Sequence, residues 1–382
     1  MLFNFHLPHY FASKVRAQIE HLYASMAIGN LAQAMIAIFE PIFLYQVVGL
    51  TIEQVLLFTA ALYSLYILLI IYGAKVASRF GFAHAIFFSI PFQILFWVAL
   101  VGAQYNITFL IIAPVMLAIQ KSLFWPAFNA SMAKYANHKQ IGREFSAMYA
   151  LMSVMQILGP LFGGFLAIFF GPSFVFVIGS IIYLASALPL LWSDKHLHPH
   201  QYKFKQTWDL YKKYTARFCG YLGYGEELLA LTIWPIFIFV NVKTYQDVGA
   251  LVTVATLVAT VLALYMGIYI DRHSKRGSLR FGNGFYFLSW LVKIPLISTL
   301  GLFLADSFSR TAKSTVSIPL TTLTLERAEV TDVLAYSVGF EQALSVGKLA
   351  ASLLGIIVFA LTGSFIALFI LAALFCLFYF LI

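Results

Sequence analysis

Apolar runs of about 20 residues or more recur from one end of this chain to the other, each long enough to cross the hydrocarbon core of a bilayer as a helix. No room is left for a soluble domain beyond a short central loop. Only 10% of the 382 residues are charged, well under half the usual soluble share, and 62% are hydrophobic. The expectation is an all-α membrane protein with several spans.

Twelve spans are expected, at roughly 20–48, 51–74, 82–103, 107–133, 142–170, 173–193, 217–241, 246–270, 279–299, 302–325, 333–360 and 363–382. The turns between them alternate in charge. One side carries Lys14 and Arg16, Lys75 and Arg79, Lys134, Lys139 and Arg143, the lysines of the central loop, then Arg272, Lys275, Arg276, Arg280 and Arg327. The short turns of the other side have only Lys243. The positive-inside rule puts both termini and the central loop in the cytoplasm, and a missed span would invert every later turn. The same rule accounts for the formal charge of +9 without nucleic acid as a partner.

Cys219 and Cys376 fall in or beside apolar segments, with no disulfide framework or CxxC motif, and read as packing residues. The first 23 residues lack the order of a cleaved signal peptide and read as an aromatic, interfacial lead-in to the first span. In the central loop, His196, His198 and His200 alternate, but Pro199 lies among them and no carboxylate or cysteine cluster completes a metal site. That loop reads as a basic, aromatic linker resting on anionic headgroups. No metal or cofactor is expected.

Four landmarks repeat in order at nearly one spacing. Pro41 in EPIFLY pairs with Pro235 in WPIFIF, Arg79 with Arg272, Pro126 with Pro319 and Gly171 with Gly363, at separations of 192 to 194 residues. Four such matches on equivalent spans argue for a duplicated six-helix unit. An even number of spans keeps both copies in one orientation and places a cavity between them. The expected division is 1–193, a linker at 194–216, and 217–382.

With that repeat in place, the sequence resembles the major facilitator superfamily over nearly its whole length. The family's turn between helices 2 and 3, G-x-x-x-D-R-x-G-R-R, is matched in the second half by Gly267, Asp271, Arg272, Lys275 and Arg276, with one extra residue before the basic pair. In the first half Arg79 and Gly81 remain, but Ser78 stands at the Asp position and Ala74 at the first Gly. The resemblance implies a gating turn that works mainly through Asp271. Gly159, Pro160, Gly163 and Gly164 (GPLFGG) look like the end of the family's antiporter motif in helix 5, though its upstream glycines are missing, and Pro114 stands where many antiporters have an Arg. The physical alternative is that these are ordinary turn and packing residues.

Ionisable residues inside spans are costly and face a cavity or one another. They are Glu40 in span 1, Lys121 in span 4, Glu226 and Glu227 in span 7, Lys293 in span 9, Asp306, Arg310 and Lys313 in span 10, and Glu341 and Lys348 in span 11. The resemblance implies that spans 1, 4, 7 and 10 line the cavity. On span 10 the charges form one stripe with Ser317, Thr321 and Thr324, and on span 1 Asn30, Gln33 and Glu40 share a face. These stripes are expected to face inward. Structural pairs Asp306–Arg310, Glu341–Lys348 and Glu40–Lys121 are one reading, and Lys293 is expected to snorkel or to pack.

Glu226 and Glu227 are adjacent with no cation on their own helix, which makes them first candidates for proton coupling, with Glu40 second. Candidate substrate contacts are Gln33, Lys121, Trp125, Trp234, Arg310, Lys313, Glu341 and Lys348, with Arg310 and Lys313 suited to an anionic group and the two indoles to an aromatic wall. No catalytic cluster or phosphate loop is present, so neither an enzyme nor a nucleotide-driven pump is expected. The expected activity is secondary transport of a small polar or anionic organic solute by alternating access, coupled to protons, in a monomer of a prokaryotic cytoplasmic membrane. The alternative is proton-driven efflux of amphipathic compounds, and a polytopic enzyme or lipid-handling protein is the remote one.

Overall fold

The computed structural model describes residues 17–135, 141–191, 202–271 and 274–382; the side chains of 17–20, 22, 134–135, 141–151 and 263–271 lie outside that description. Among the described residues every regular element is a helix. In chain order they are α1 (Ala17–Ala37), α2 (Phe39–Gln46), α3 (Ile52–Phe80), α4 (Phe82–Ala103), α5 (Phe109–Tyr135), α6 (Ile141–Phe170), α7 (Pro172–Ala185) and α8 (Ala187–Leu191). After the linker helix α9 (Phe204–Lys213) come α10 (Thr215–Gly220), a 3-10 turn at Tyr221–Tyr224, and α11 (Gly225–Val242). The chain ends with α12 (Tyr245–Asp271), α13 (Lys275–Val292), α14 (Thr299–Glu329), α15 (Val333–Thr362), α16 (Phe365–Cys376) and a 3-10 turn at Leu377–Leu381.

These helices fall on the twelve expected spans, with α1–α2, α7–α8 and α10–α11 each forming one broken span. Nine described spans are long and apolar enough to cross a membrane. The other three have local reasons for falling short. α13 opens with Lys275, Arg276 and Arg280, α14 carries Asp306, Arg310 and Lys313 within its apolar stretch and three more charges at its end, and Phe365–Leu381 is shorter. The helix ends are set by the sequence. Thr51 accepts from the Gln54 amide and Gln54 caps the Thr51 amide in return, while Asp332 accepts from the Ala335 amide. Six prolines sit inside the helices, Pro91, Pro114, Pro126, Pro160, Pro235 and Pro319. Membrane helices tolerate this because neighbouring groups re-satisfy the freed carbonyls.

Packing reproduces the internal repeat. In the first half α1 packs on α6 and α7, α3 and α4 on α5, and α4 on α7. In the second, α11 packs on α15 and α16, α12 and α13 on α14, and α13 on α16. Each contact is the other half's contact moved six spans along. The two bundles meet along α3–α15 and α6–α12, which the same shift exchanges. Gly171, before α7, and Gly363, before α16, occupy matching corners, both with positive φ (84° and 61°) that favours glycine.

The solvent relation of a soluble protein is reversed. Leu68, Ile111, Phe169, Ile181, Ile357 and Ile370 point outward and exposed, while Glu226, Lys293, Asp306, Glu341 and Lys348 are buried. That is a molecule built for a hydrocarbon surround, a multi-pass integral membrane protein.

Candidate functional site

A cavity of about 570 Å³ lies between the bundles, a size that suits a small organic molecule. The first bundle contributes a polar wall. Asn30 and Gln33 of α1 and Glu40 of α2 all line it, so the face predicted from their spacing is real. Trp97 of α4 donates its indole N–H to Glu40 Oε1 at 2.9 Å. Gln93 and Gln120 line the same wall, and Gln120 donates to Tyr183 Oη at 3.5 Å.

Lys121 and Trp125 project from α5 into the cavity one turn apart. The Lys121 ammonium lies 6.0 Å from the centre of the Trp125 ring, and among the described residues no carboxylate stands within 4 Å of it. Phe124 and Phe128 extend the aromatic wall, with Trp125 edge-on to both at 5.2 and 6.0 Å. The expected Glu40–Lys121 pair does not form.

The second bundle presents Tyr224, Glu227, Glu341 and Lys348. Lys348 pairs with Glu227 at 3.2 Å, not with Glu341. Glu341 instead receives Tyr66 Oη at 2.9 Å and Asn129 Nδ2 at 2.7 Å, both from the opposite bundle. Behind Glu227 the ionic contacts run inward, away from the cavity. Lys313 lies 3.7 Å from Glu227 and pairs closely with Glu226. Tyr286 and Tyr379 also donate to Glu226, Tyr379 at 3.0 Å. Two adjacent carboxylates are thus served by two lysines from α14 and α15. The like-charge argument for proton coupling at Glu226 and Glu227 rested on there being no cation on their own helix, and the two lysines come from other helices.

Three predicted contacts do not line this cavity. Trp234 donates its indole N–H to Asp306 at 2.8 Å, and Arg310 Nε donates to the other oxygen of Asp306 at 2.7 Å, as its expected pairing required. Lys313 sits one layer behind Glu227. Of the span 10 stripe, only Thr321 and Thr324 reach the cavity wall. The spacing placed the stripe on one face of α14, but that face is divided between the cavity at one end and α11 and α13 at the other. Lys293 does not snorkel. It is 1% exposed, packed 3.6 Å from the Trp290 ring and 4.3 Å from the Trp234 ring, a cation–π contact on both sides.

The glycine motif of α6 is a packing seam. A Cβ on Gly159 would stand 2.4 Å from the Ala34 Cβ, and one on Gly163 would stand 2.2 Å from the Met35 carbonyl. Gly164 faces Gly249 of α12, where a Cβ would come 2.5 Å from the Pro160 carbonyl. At the gating turns, Arg79 is exposed and lies 5.4 Å from the Phe80 ring, and Gly81 closes α3 with φ 92°. Arg272 and the side chain of Asp271 lie outside the described residues, as does any contact at Gly267. The three histidines of the central loop lie there too, and no metal-binding group is found among the described residues.

The tyrosines that complete these networks escaped sequence reading. Tyr66, Tyr286 and Tyr379 sit in apolar runs, in a chain with 21 tyrosines, and nothing in their spacing separates them from interfacial ones.

The sequence profile of the Major Facilitator Superfamily matches residues 22–219, just over half of the chain. The chain belongs to the major facilitator superfamily. It is a membrane transporter and not an enzyme. Solved structures agree on the fold at low identity. The outward conformation of the family transporter FucP aligns with TM-score 0.65 and 14% identity, over 96% of this chain and 98% of that one. A mutant of the nucleoside transporter NupG aligns with TM-score 0.71 and 10% identity, over 95% and 97%. The human organic anion transporter MFSD10 (TETRAN) aligns with TM-score 0.70 and 13% identity, over 96% and 99%. A comparison with curated proteins gives no match.

Proposed function

We propose that this family member moves a small organic solute carrying an anionic group, by alternating access and with coupling to protons. Lys121 is the observation that carries the reading. Of the two lysines on the cavity wall, Lys348 is already paired with Glu227, while Lys121 has no carboxylate within ion-pair distance among the described residues. An ammonium left unpaired in a largely apolar cavity is a strong attractor for a carboxylate or phosphate. The indole of Trp125 beside it suits an aromatic or apolar body on the same solute.

Coupling is assigned to Glu40. A carboxylate in a membrane interior is neutralised by a cation or by a proton. Glu226 and Glu227 have Lys313 and Lys348, whereas among the described residues Glu40 has the Trp97 indole as its bonded partner and no cation within 4 Å. The rocking units in this proposal are 1–193 and 217–382, joined by 194–216, with both termini cytoplasmic and one chain sufficient.

Efflux of amphipathic cations is the second reading. Glu40 and the aromatic wall favour it. A thermal-shift screen of the purified protein at two pH values, against organic anions, sugars, amino acids and lipophilic cations, separates the two. Stabilisation by an organic anion that Lys121→Gln abolishes supports the first. Stabilisation by lipophilic cations that survives Lys121→Gln and fails in Glu40→Gln overturns it in favour of the second.

A further inference from the structure

The linker helix α9 has two unlike faces. Its inner face is bolted to α15. Thr207 is fully buried and donates to the Ala335 carbonyl at 3.0 Å, and Tyr202 shares a 2.9 Å hydrogen bond with the Thr207 hydroxyl. One turn on, Tyr211 Oη lies 3.0 Å from Gln342 Oε1 as donor. The amide of Gln342 then donates to the Ile67 carbonyl of α3, in the opposite bundle, at 3.0 Å. A chain of two side-chain hydrogen bonds thus runs from the linker, through α15, to the seam between the bundles.

The outer face is exposed, with the Lys213 ammonium 5.3 Å from the Tyr214 ring. Lys203, Lys205, Lys212 and Lys213 are exposed, against Asp209 as the exposed acid of the same helix. Trp208 stands among them, 52% exposed, with the Lys212 ammonium 6.0 Å from its ring. An exposed indole set in a lysine cluster is poorly suited to bulk water and well suited to the headgroup region of a bilayer. Four lysines beside a spanning bundle complement anionic headgroups, with the indole among the upper acyl carbons.

We propose that α9 is a docking surface for anionic phospholipid, and that its seat on α15 passes lipid occupancy to the α3–α15 contact between the bundles. Lipid held on the lysine face fixes α9, which fixes Tyr211 and Gln342 and so favours the state in which Gln342 holds Ile67. This inference is independent of the substrate assignment, since none of these residues supplies the anion or proton site.

Full-length protein in detergent is titrated with phosphatidylglycerol, with phosphatidylcholine, and with water-soluble glycerol phosphate, reading the melting temperature. Phosphatidylglycerol is expected to raise it by at least ~2 °C over phosphatidylcholine. Glycerol phosphate, which has no acyl chain for Trp208, is expected to leave it unchanged. The triple variant Lys205→Gln, Lys212→Gln, Lys213→Gln removes exposed charges only and is expected to fold and to lose the difference. An equal shift in the triple variant, or from glycerol phosphate, overturns the docking surface. In nanodiscs, hydrogen exchange in peptides containing Ile67 and Gln342 is expected to slow when phosphatidylglycerol replaces phosphatidylcholine. Tyr211→Phe is expected to keep the thermal shift and lose this slowing. Slowing that persists in Tyr211→Phe, or that is absent in the wild type, overturns the coupling.

Discussion

Lys121 and Lys348 face the same cavity from opposite bundles, and their partners separate their roles. Lys348 stands 3.2 Å from Glu227, so its charge is committed to the protein. Lys121 has an indole at 6.0 Å and, among the described residues, no carboxylate within 4 Å. A charge-assisted hydrogen bond contributes about 1.5–3 kcal/mol, so Lys121→Gln is expected to weaken an anionic ligand roughly 10- to 100-fold in calorimetry while leaving the melting temperature near wild type. If the ligand's affinity is unchanged, its anionic group sits elsewhere. Glu226 makes the opposite case. It is fully buried against Lys313, Tyr286 and Tyr379. Removing one partner of a buried pair typically costs about 3–5 kcal/mol because the other charge is stranded. Glu226→Ala is therefore expected to unfold at much lower temperature, and Glu226→Ala with Lys313→Met to recover part of the loss. A double variant no more stable than the single would mean that Lys313 is not the stranded charge.

At the scale of the helix, α6 and α12 approach through glycine, and this sets a steric test. A side chain at Gly249 meets backbone, the Pro160 carbonyl, which cannot swing aside. Overpacking of this kind costs about 1–3 kcal/mol, so Gly249→Leu is expected to lower thermal stability. Gly284→Leu on α13, where nothing lies within 4 Å, is the control and should not. Equal behaviour of the two would show that the seam opens at no cost. The same scale explains what was legible in the sequence. Asn30, Gln33 and Glu40 all line the cavity because steps of three and seven residues fix one face of a span, and the break between α1 and α2 leaves that face turned to the cavity. The stripe on α14 obeyed the same rule and still misled, since periodicity orients a side chain about its own axis and says nothing of which neighbour stands there. Arg310 and Lys313 met Asp306 and Glu226 within their own bundle. The span count and the duplication were legible because hydrophobic length and repeated prolines and glycines are properties of the chain itself. The pairing of Lys348 with Glu227, 121 positions apart, is a property of the packing.

For the whole molecule, the two seams between the bundles are related by the repeat yet differ in chemistry. α6–α12 is close-packed through Gly164 and Gly249. α3–α15 is hydrogen-bonded, by Tyr66 to Glu341, by Thr59 with Ser352 at 2.9 Å, and by Gln342 to the Ile67 carbonyl. A transporter that rocks must break and remake contacts, and short polar contacts break one at a time, whereas a glycine seam lets two backbones slide past each other. The conformational equilibrium is therefore expected to be set mainly at α3–α15. Hydrogen bonds between membrane helices average about 0.6 kcal/mol, so losing one should change the ratio of two states about threefold. Tyr66→Phe removes such a bond while keeping the ring that fills the seam. Spin labels on the lipid-facing sides of α3 and α15 should report a shift of that size towards the separated state. An unchanged distance distribution would move the control of the equilibrium to α6–α12, where Gly249→Ala, whose Cβ presses on the Pro160 carbonyl and forces the two backbones apart, should then produce the shift that Tyr66→Phe did not.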